Sequence, residues 1–191
     1  MTMPRPFASY AYRKGNMTHK ELAERIRSVA YLEGDFTLRS GKKSTFYVDK
    51  YLFETQPDIL AELGRLFAGK ASPQTTLIAG AELGGVALAA AAAMAASLPF
   101  VIIRNARKDY GTGKMYEGRI NPGDVVLLVE DIATTGGQVL EAAKTISEAG
   151  ATVEKIVAVV DRGQGAGQNI RAAGFAFESL FDAADLRLPT Q

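Results

Sequence analysis

The sequence predicts an α/β fold with a largely parallel central sheet flanked by helices. Short apolar runs rich in β-branched residues, at residues 125–129 and 153–160, are typical of strands that are buried on both faces. These runs alternate with segments of helical periodicity, such as residues 18–32 and 57–67. Strands that alternate with helices favour a parallel sheet covered by helices. We also expect a small N-terminal hairpin region, or hood, and a flexible lid loop.

The composition is that of one globular domain and excludes several classes of function. The chain has 191 residues, of which 47% are hydrophobic and 23% are charged. A net charge of +1 argues against a nucleic-acid-binding surface, which needs a basic excess. Without cysteine and with the single histidine His19, thiol chemistry is excluded and a Ser-His-Asp triad is disfavoured. The most apolar stretch, residues 86–96, is too short for a membrane span, so we expect a cytoplasmic protein.

Residues 1–16 are predicted to be a disordered extension. They carry Pro4, Pro6 and several basic residues without an apolar run, so they do not form a secretory signal. Met17 is followed at once by a helix pattern and is a second candidate for the start of the protein. Residues 17–191 are expected to form a single domain.

The predicted domain begins with a helix at residues 18–32. Thr18 and Glu21 have the spacing of a capping box at its N-terminus. Gly34 and Asp35 are expected to end this helix and to lead into the hairpin.

The hairpin is predicted from two short strand patterns, at residues 36–38 and 44–49. Its turn carries Arg39, Lys42 and Lys43. The two lysines are expected to be solvated. Arg39 directly follows the first strand, so it can point into a site.

The middle of the chain contains a second unit of strand, glycine turn and helix. A helix is predicted at residues 57–67, followed by a strand at residues 77–79. The turn at residues 80–85 contains three glycines and precedes a helix at residues 86–96. Such a turn allows close approach of a phosphate, although glycines alone are weak evidence. Residues 99–104 are predicted to form the next strand.

Residues 105–121 are predicted to be a lid. They contain Gly111, Gly113, Gly118 and many charged residues, and they have no core periodicity. A loop of this length in a compact domain is usually functional or disordered. Glycines would allow it to open and close over a site.

The central segment, residues 125–138, predicts a site for a sugar phosphate. Its strand is followed by Glu130 and Asp131, then by the turn Thr-Thr-Gly-Gly at residues 134–137, then by a helix pattern at residues 139–149. Ligands of open α/β sheets bind beyond the carboxyl ends of the strands. The backbone N–H groups of the turn suit a phosphate. The carboxylates would repel a phosphate, but they suit ribose hydroxyls or a developing positive charge.

The last strands are predicted at residues 153–160 and 175–181, on either side of a short helix at residues 169–173. The first of these strands ends in Asp161 and Arg162.

Residues 129–137 resemble the phosphoribosyl-pyrophosphate (PRPP) motif of the type I phosphoribosyltransferases. An ordinary strand-to-helix turn rarely carries paired acids before Thr-Thr-Gly-Gly. Four further segments, in the same order along the chain, are similar to orotate phosphoribosyltransferases: residues 36–44, 82–85, 104–111 and 160–162. The resemblance covers nearly the whole chain after the N-terminal extension.

This resemblance implies transfer of the 5-phosphoribosyl group from PRPP to orotate. The products would be orotidine 5′-phosphate and pyrophosphate, in pyrimidine nucleotide (UMP) biosynthesis. It implies Mg²⁺ as cofactor, bound mainly through PRPP and pyrophosphate rather than by protein ligands. It also implies a homodimer in which the lid of one subunit acts in the active site of the other.

The resemblance also implies which residues form the site. Lys108, Glu130 and Asp131 are expected to be catalytic. The residues expected to bind PRPP are Arg104, Asn105, Lys108, Tyr110, Glu130, Asp131, Ile132, Ala133, Thr134, Thr135, Gly136, Gly137 and Gln138. Those expected to bind orotate are Arg39, Phe46, Tyr47, Thr134 and Arg162.

Besides Arg39, which stands where the family usually has a lysine, three positions depart from the family pattern. Asn105 replaces a basic residue, Tyr110 replaces a histidine, and Gly84 stands where some relatives carry a lysine for the diphosphate. Two alternatives therefore stay open at this point. One is a phosphoribosyltransferase for another base, and the other is a non-catalytic PRPP-binding regulator.

Overall fold

The computed structural model describes residues 17–37, 41, 43–106 and 114–189. The predicted extension at residues 1–16 lies outside the described residues, as do the predicted site residues Arg39, Lys108 and Tyr110.

The described residues form six helices and eight strands. In chain order these are α1 His19–Ala30, β1 Tyr31–Thr37, β2 Lys43–Val48, α2 Lys50–Glu54, α3 Pro57–Ala68, β3 Leu77–Ala81, α4 Gly84–Ala96, β4 Phe100–Ile103, β5 Tyr116–Glu117, β6 Val125–Ala133, α5 Gly137–Glu148, β7 Thr152–Asp161, α6 Ala166–Ala172 and β8 Phe177–Asp182. Within this described part, no helix is both long and apolar enough to cross a membrane.

The main sheet has six strands in the order β5-β4-β3-β6-β7-β8. All neighbouring pairs are parallel except β4 with β5, which is antiparallel. Strands β1 and β2 form a separate antiparallel hairpin. The prediction of a largely parallel sheet with a small N-terminal hairpin is therefore confirmed.

Strand β6 lies at the centre of the sheet, and its side chains feed the cores on both faces. Leu127 and Val129 belong to the apolar cluster that includes α3 and α4. Val126 and Leu128 belong to the cluster that includes α5. This division follows from the alternation of side chains along a strand. It explains why the segment is apolar at every position rather than at every second one.

Strand β3 and helix α4 pack at backbone contact. A Cβ atom on Gly80 would lie 2.1 Å from the carbonyl oxygen of Gly85. Only glycine fits this approach, which brings the start of α4 against the end of β3. The glycines predicted to admit a phosphate thus also serve the packing of this helix.

Several element boundaries differ from the sequence predictions. Helix α1 ends at Ala30, and the predicted end of the helix belongs to β1, which pairs with β2 from Tyr31↔Val48 onward. The capping box of α1 is confirmed, because the Thr18 side chain accepts from the Glu21 backbone and the Glu21 side chain accepts from the Thr18 backbone.

Three further differences concern the site. Helix α2 was not predicted; Asp49 caps it by accepting a hydrogen bond of 3.0 Å from the backbone N–H of Tyr51. The predicted lid contains the short strand β5, which pairs with β4. Strand β6 continues through Ala133, so Glu130 and Asp131 lie within the strand rather than after it. Pairing with β7, which continues to Ala133↔Asp161, explains this extension.

Candidate active site

The carboxyl ends of β3, β4, β6 and β7 meet at one edge of the sheet. The backbone N–H of Glu82, after β3, donates to the carbonyl of Ile103 at the end of β4 over 2.8 Å. The backbone N–H of Arg162, after β7, donates to the carbonyl of Ala133 at the end of β6 over 2.9 Å. These bonds hold the predicted site segments side by side, as expected for an open α/β sheet.

The turn between β6 and α5 presents an uncapped helix N-terminus. Gly136 has a φ of 82° and occupies the N-cap position without a side-chain hydrogen bond. A Cβ atom there would lie 3.1 Å from the Ile170 side chain, which also favours glycine. The side chains of Thr134 and Thr135 are exposed. The turn therefore offers N–H and hydroxyl donors to an anion.

Helix α6 fixes the back of this turn. The backbone N–H of Ala166 donates to the carbonyl of Thr134 over 3.0 Å. The side-chain amide of Asn169 donates to the carbonyl of Thr135 over 2.8 Å. The carbonyl groups of Thr134 and Thr135 are thus occupied by hydrogen bonds from α6. The N–H and hydroxyl donors of the turn remain for a ligand.

The acid pair is buried. Glu130 is 8% exposed and Asp131 is 2% exposed. The Nζ atom of Lys50 lies 2.6 Å from Oδ2 of Asp131, and the backbone N–H of Ile132 donates to Oδ1 of Asp131 over 2.5 Å. The Oε2 atom of Glu130 has no hydrogen-bond partner among the described residues. A ligand hydroxyl is the kind of donor that this oxygen needs.

Burial changes the protonation of this cluster. Burial, and secondly the charge of Asp131, raise the pKa of Glu130 to about 8. The same two causes raise the pKa of Glu54, in α2, to about 8. Burial alone would lower the pKa of Lys50, but the hydrogen bond and charge of Asp131 outweigh it and raise this pKa. Asp131 is thus the member of the cluster that has a cation as its partner.

The turn between β3 and α4 lies against the acid pair. A Cβ atom on Gly84 would lie 1.6 Å from Oδ2 of Asp131 and 3.1 Å from Oε1 of Glu54. With Asp131 in this position, no side chain fits at residue 84. The glycine at this departure from the family pattern therefore lets the Asp131 carboxylate lie directly against the backbone.

Asn105 ties three segments together. Its backbone N–H donates to Oε1 of Glu82 over 2.8 Å, and its side-chain amide donates to the carbonyl of Glu82 over 2.9 Å. The side-chain amide of Gln138 donates both to that carbonyl and to Oδ1 of Asn105, each over 2.9 Å. Asn105 and Gln138, with Arg104, border a cleft of about 230 Å³. Asn105 thus has a structural role at the site that a basic residue could not fill in the same way.

Arg162, directly after β7, lies beside Phe46 of β2. The guanidinium carbon of Arg162 lies 5.7 Å from the centre of the Phe46 ring. Burial lowers the pKa of Arg162, and the guanidinium still remains charged because its ordinary pKa is so high. Tyr47 projects to the other face of β2, where its ring lies 5.6 Å from that of Phe36. The structure therefore brings Phe46, but not Tyr47, next to Arg162.

Sequence reasoning missed three residues of this site, Lys50, Glu54 and Glu82. Lys50 and Glu54 stand four residues apart, which places them on one face of a helix. That spacing is informative only once α2 is known, because five residues are too few to display a helical period. Their importance depends on Asp131, which is 81 residues away from Lys50 in the chain.

Comparison with known proteins agrees with this site. The phosphoribosyl transferase domain family matches residues 53–178. The chain is 41% identical to the orotate phosphoribosyltransferase of Natronomonas pharaonis over 89% of this chain and 98% of that relative. It is 46% identical to the enzyme of Halobacterium salinarum over 80% and 87% of the two chains.

Solved structures show the same relationship. Orotate phosphoribosyltransferase from Mycobacterium tuberculosis superposes with a TM-score of 0.81 at 32% identity, covering 89% of this chain and 99% of that one. A crystal structure of the same enzyme in complex with PRPP superposes with a TM-score of 0.76 and the same coverage. The motif at the end of β6, the arrangement around it and these relatives agree, and the chain belongs to the orotate phosphoribosyltransferase family.

Proposed function

We propose that this protein transfers the 5-phosphoribosyl group of PRPP to orotate, giving orotidine 5′-phosphate and pyrophosphate in the cytoplasmic synthesis of UMP. One observation carries the proposal. A buried acid pair at the end of β6 is followed directly by an uncapped helix N-terminus, with Arg162 directly after the neighbouring strand β7. These groups match, in order, the ribose, the 5-phosphate and the carboxylate of the acceptor.

The donor is held by the central segment. The N-terminal N–H groups of α5 and the exposed threonine hydroxyls bind the 5-phosphate. Glu130 and Asp131 accept hydrogen bonds from the ribose hydroxyls. As the bond to the diphosphate breaks, the anomeric carbon gains oxocarbenium character, and the negative charge at Asp131 stabilises it. A ring nitrogen of orotate then completes the new bond to this carbon, and its N–H proton is released to the leaving pyrophosphate or to water.

The acceptor is held by Arg162, with Phe46 beside it. A guanidinium fork pairs well with a planar carboxylate, and partial burial strengthens that pair. Arg39, Tyr47 and Thr134 are proposed as further orotate contacts by resemblance to the family. The half-buried Arg162 supports a discriminating role, because a base without a carboxylate would leave its charge unpaired.

The leaving pyrophosphate is bound by residues on and near the lid. Lys108 is proposed to contact it directly, together with Arg104 and Tyr110. Asn105 belongs to this side of the site and acts through its bonds to Glu82 and Gln138.

Mg²⁺ is proposed to be bound through the oxygens of the donor. Mg²⁺ usually keeps several of its waters and binds chiefly to phosphate oxygens, so few direct protein ligands are needed. Its contribution when bound is to neutralise the charge that develops on pyrophosphate. Glu130 and Asp131 hold the ribose to which that diphosphate is attached.

The experiment is a spectrophotometric assay with PRPP, Mg²⁺ and a panel of bases. Orotate, uracil, hypoxanthine and adenine are compared at equal concentrations. Consumption of orotate alone, with release of pyrophosphate, is the expected result. Activity only on a purine would contradict the proposal, and PRPP binding without turnover of any base would favour a regulator.

A further inference from the structure

Three buried carboxyl groups and one ammonium group lie near one another at the donor site. Glu54 comes from α2, while Glu130 and Asp131 come from β6. All three are almost completely buried, at 3%, 8% and 2% exposure. The ammonium group of Lys50, at the start of α2, contacts Asp131 over 2.6 Å.

The hydrogen bonds distinguish Asp131 from the other two acids. Both oxygens of Asp131 accept hydrogen bonds, one from Lys50 and one from the backbone of Ile132. In contrast, Oε1 of Glu54 and Oε2 of Glu130 have no partner among the described residues. Three buried carboxylates beside one cation cannot all be ionised, so the charge collects where it is best compensated. The raised pKa values of Glu54 and Glu130, both about 8, agree with this.

We propose that Lys50 is a positioning residue of the donor site, whose ion pair selects Asp131 as the charged member of three neighbouring carboxyl groups and holds it for the ribose of PRPP. The inference rests on the proposed function, since it assigns a role within the same donor site. Asp131 lies against the backbone of Gly84, and the pair with Lys50 keeps it there. Lys50 acts through Asp131 and needs no contact with the substrate.

The fold explains how Lys50 reaches this position. The hairpin strand β2 ends at Val48, and the side chain of Asp49 caps α2 immediately afterwards. Lys50 is therefore the first residue of a helix whose other end carries Glu54. The charged and titratable groups that act on the cluster are Asp49, Lys50, Tyr51, Glu54, Glu130 and Asp131.

The test compares Lys50→Met with Lys50→Arg and with the control Lys144→Met. Lys144 is an exposed residue of α5 that pairs only loosely, at 4.0 Å, with Glu148. For each variant, kcat and the KM values for PRPP and orotate are measured from about pH 6 to about pH 9. We expect Lys50→Met to lower kcat/KM for PRPP by about tenfold or more, equivalent to roughly 1.4 kcal/mol. In a plot of kcat/KM for PRPP against pH, the rise on the acidic side should move to higher pH in this variant.

The controls separate this role from a structural one. Lys50→Arg keeps a cation at this position and should retain most of the activity and the original pH profile, and Lys144→Met should be unchanged. The KM for orotate should change little in all three variants. An equal loss for both substrates at every pH, or an equal loss in Lys50→Arg, would overturn the inference.

A second measurement covers a Lys50→Met variant that does not fold. Carboxyl carbons of the wild-type protein and of Glu54→Gln are followed by ¹³C NMR during a pH titration. Glu54 and Glu130 should both be protonated at neutral pH. An ionised Glu54 or Glu130 at that pH would refute the role of Lys50. If wild-type protein bound PRPP but failed to turn over orotate, the proposed function would fail, while calorimetry of PRPP binding to the variants would still decide the inference.

Discussion

Glu54 illustrates how a single buried group makes stability depend on pH. Its pKa in the folded protein is about 8, above the ordinary value of 4.5. Between these values the folded state binds more protons than the unfolded state, so stability falls as the pH rises. We expect Glu54→Gln to reduce this fall, whose slope is at most about 1.4 kcal/mol per pH unit for one proton. Urea unfolding at several pH values measures it.

Glu62→Gln is the matched control for this prediction. Glu62 is also buried, but it pairs with Arg65 through two hydrogen bonds. Its replacement should destabilise the protein. The decline of stability between pH 4.5 and about 8 that is expected from Glu54 should remain. Because Glu130 titrates in the same window, part of the slope should persist in Glu54→Gln. An unchanged slope in Glu54→Gln would show that this carboxyl is ionised in the folded protein.

Gly84 tests the contact between the α4 turn and the acid pair. An alanine Cβ would lie 1.6 Å from Oδ2 of Asp131, so the Asp131 carboxylate has to shift from its present position beside Lys50. We expect Gly84→Ala to lower kcat/KM for PRPP by about 100-fold, the loss typical of a misplacement near 1 Å. Gly69→Ala is the control, because a Cβ there meets nothing closer than 3.4 Å. Activity close to wild type in Gly84→Ala would mean that Asp131 can move without consequence.

Arg162 should determine binding of the acceptor rather than of the donor. Arg162→Ala removes the proposed partner of the orotate carboxylate, and lost charged hydrogen bonds cost roughly 1.5–3 kcal/mol. We expect the KM for orotate to rise by about ten- to a hundredfold, with the KM for PRPP changed much less. Steady-state kinetics with each substrate varied separately gives both values.

Arg171→Ala is a close match for that substitution. The Arg171 guanidinium lies 5.7 Å from the ring of Phe177, the same distance that separates Arg162 from Phe46, but it lies in α6. Its loss should leave both KM values near those of the wild type. Equal weakening of orotate and PRPP in Arg162→Ala would instead indicate a general folding defect.

At the scale of secondary-structure elements, the packing of α4 against β3 should contribute strongly to the free energy of unfolding. A Cβ on Gly80 would lie 2.1 Å from a backbone oxygen of Gly85, which cannot turn away as a side chain can. We expect Gly80→Ala to destabilise the protein by about 1–3 kcal/mol or more, as overpacking does. Urea unfolding measures the change, with Gly69→Ala expected to remain within about 1 kcal/mol of the wild type. A stability equal to that control would show that α4 can shift freely on the sheet.

The elements also show what a sequence reveals and what it conceals. Strand β6 and the turn after it were predictable because burial on both faces, the acid pair and the glycines are local patterns. Helix α2 was not predictable in this way, because five residues are too few to display a helical period. Tyr31 was assigned to a helix, yet pairing with β2 draws it into β1. Tertiary pairing overrides local propensity at such boundaries.

In the candidate site, too, the sequence did not predict contacts between residues that are far apart in the chain. Glu130 and Asp131 stand out in the sequence because they are adjacent. The ion pair of Lys50 with Asp131 joins positions that are 81 residues apart, and nothing local to either one indicates it. Likewise, the sequence at Asn105 indicated only the loss of a positive charge relative to the family pattern. Its bonds to Glu82 and Gln138 depend on three strand ends meeting at one edge.

At the scale of the whole molecule, the proposed homodimer with a lid acting in the partner's site can be tested by mixing inactive variants. Lys108→Ala removes the proposed catalytic group of the lid, and Asp131→Asn disables the donor site. If the lid acts in trans, a heterodimer has one complete site, made of the intact Asp131 of one subunit and the intact Lys108 of the other. Each homodimer has none. If the lid acts within its own subunit, both sites of the heterodimer are defective.

Equimolar variants are unfolded together, refolded and assayed with PRPP and orotate. Random pairing places half of the subunits in heterodimers with one active site of two, so about a quarter of wild-type activity should return. Lys108→Ala refolded alone, which should still bind PRPP, and Asp131→Asn refolded alone are the controls and should stay inactive. Recovery requires both a dimer and action in trans, because either a monomer or a lid closing on its own subunit leaves the mixture as inactive as its components. Sedimentation of the mixture distinguishes these two failures, since only the second preserves the dimer.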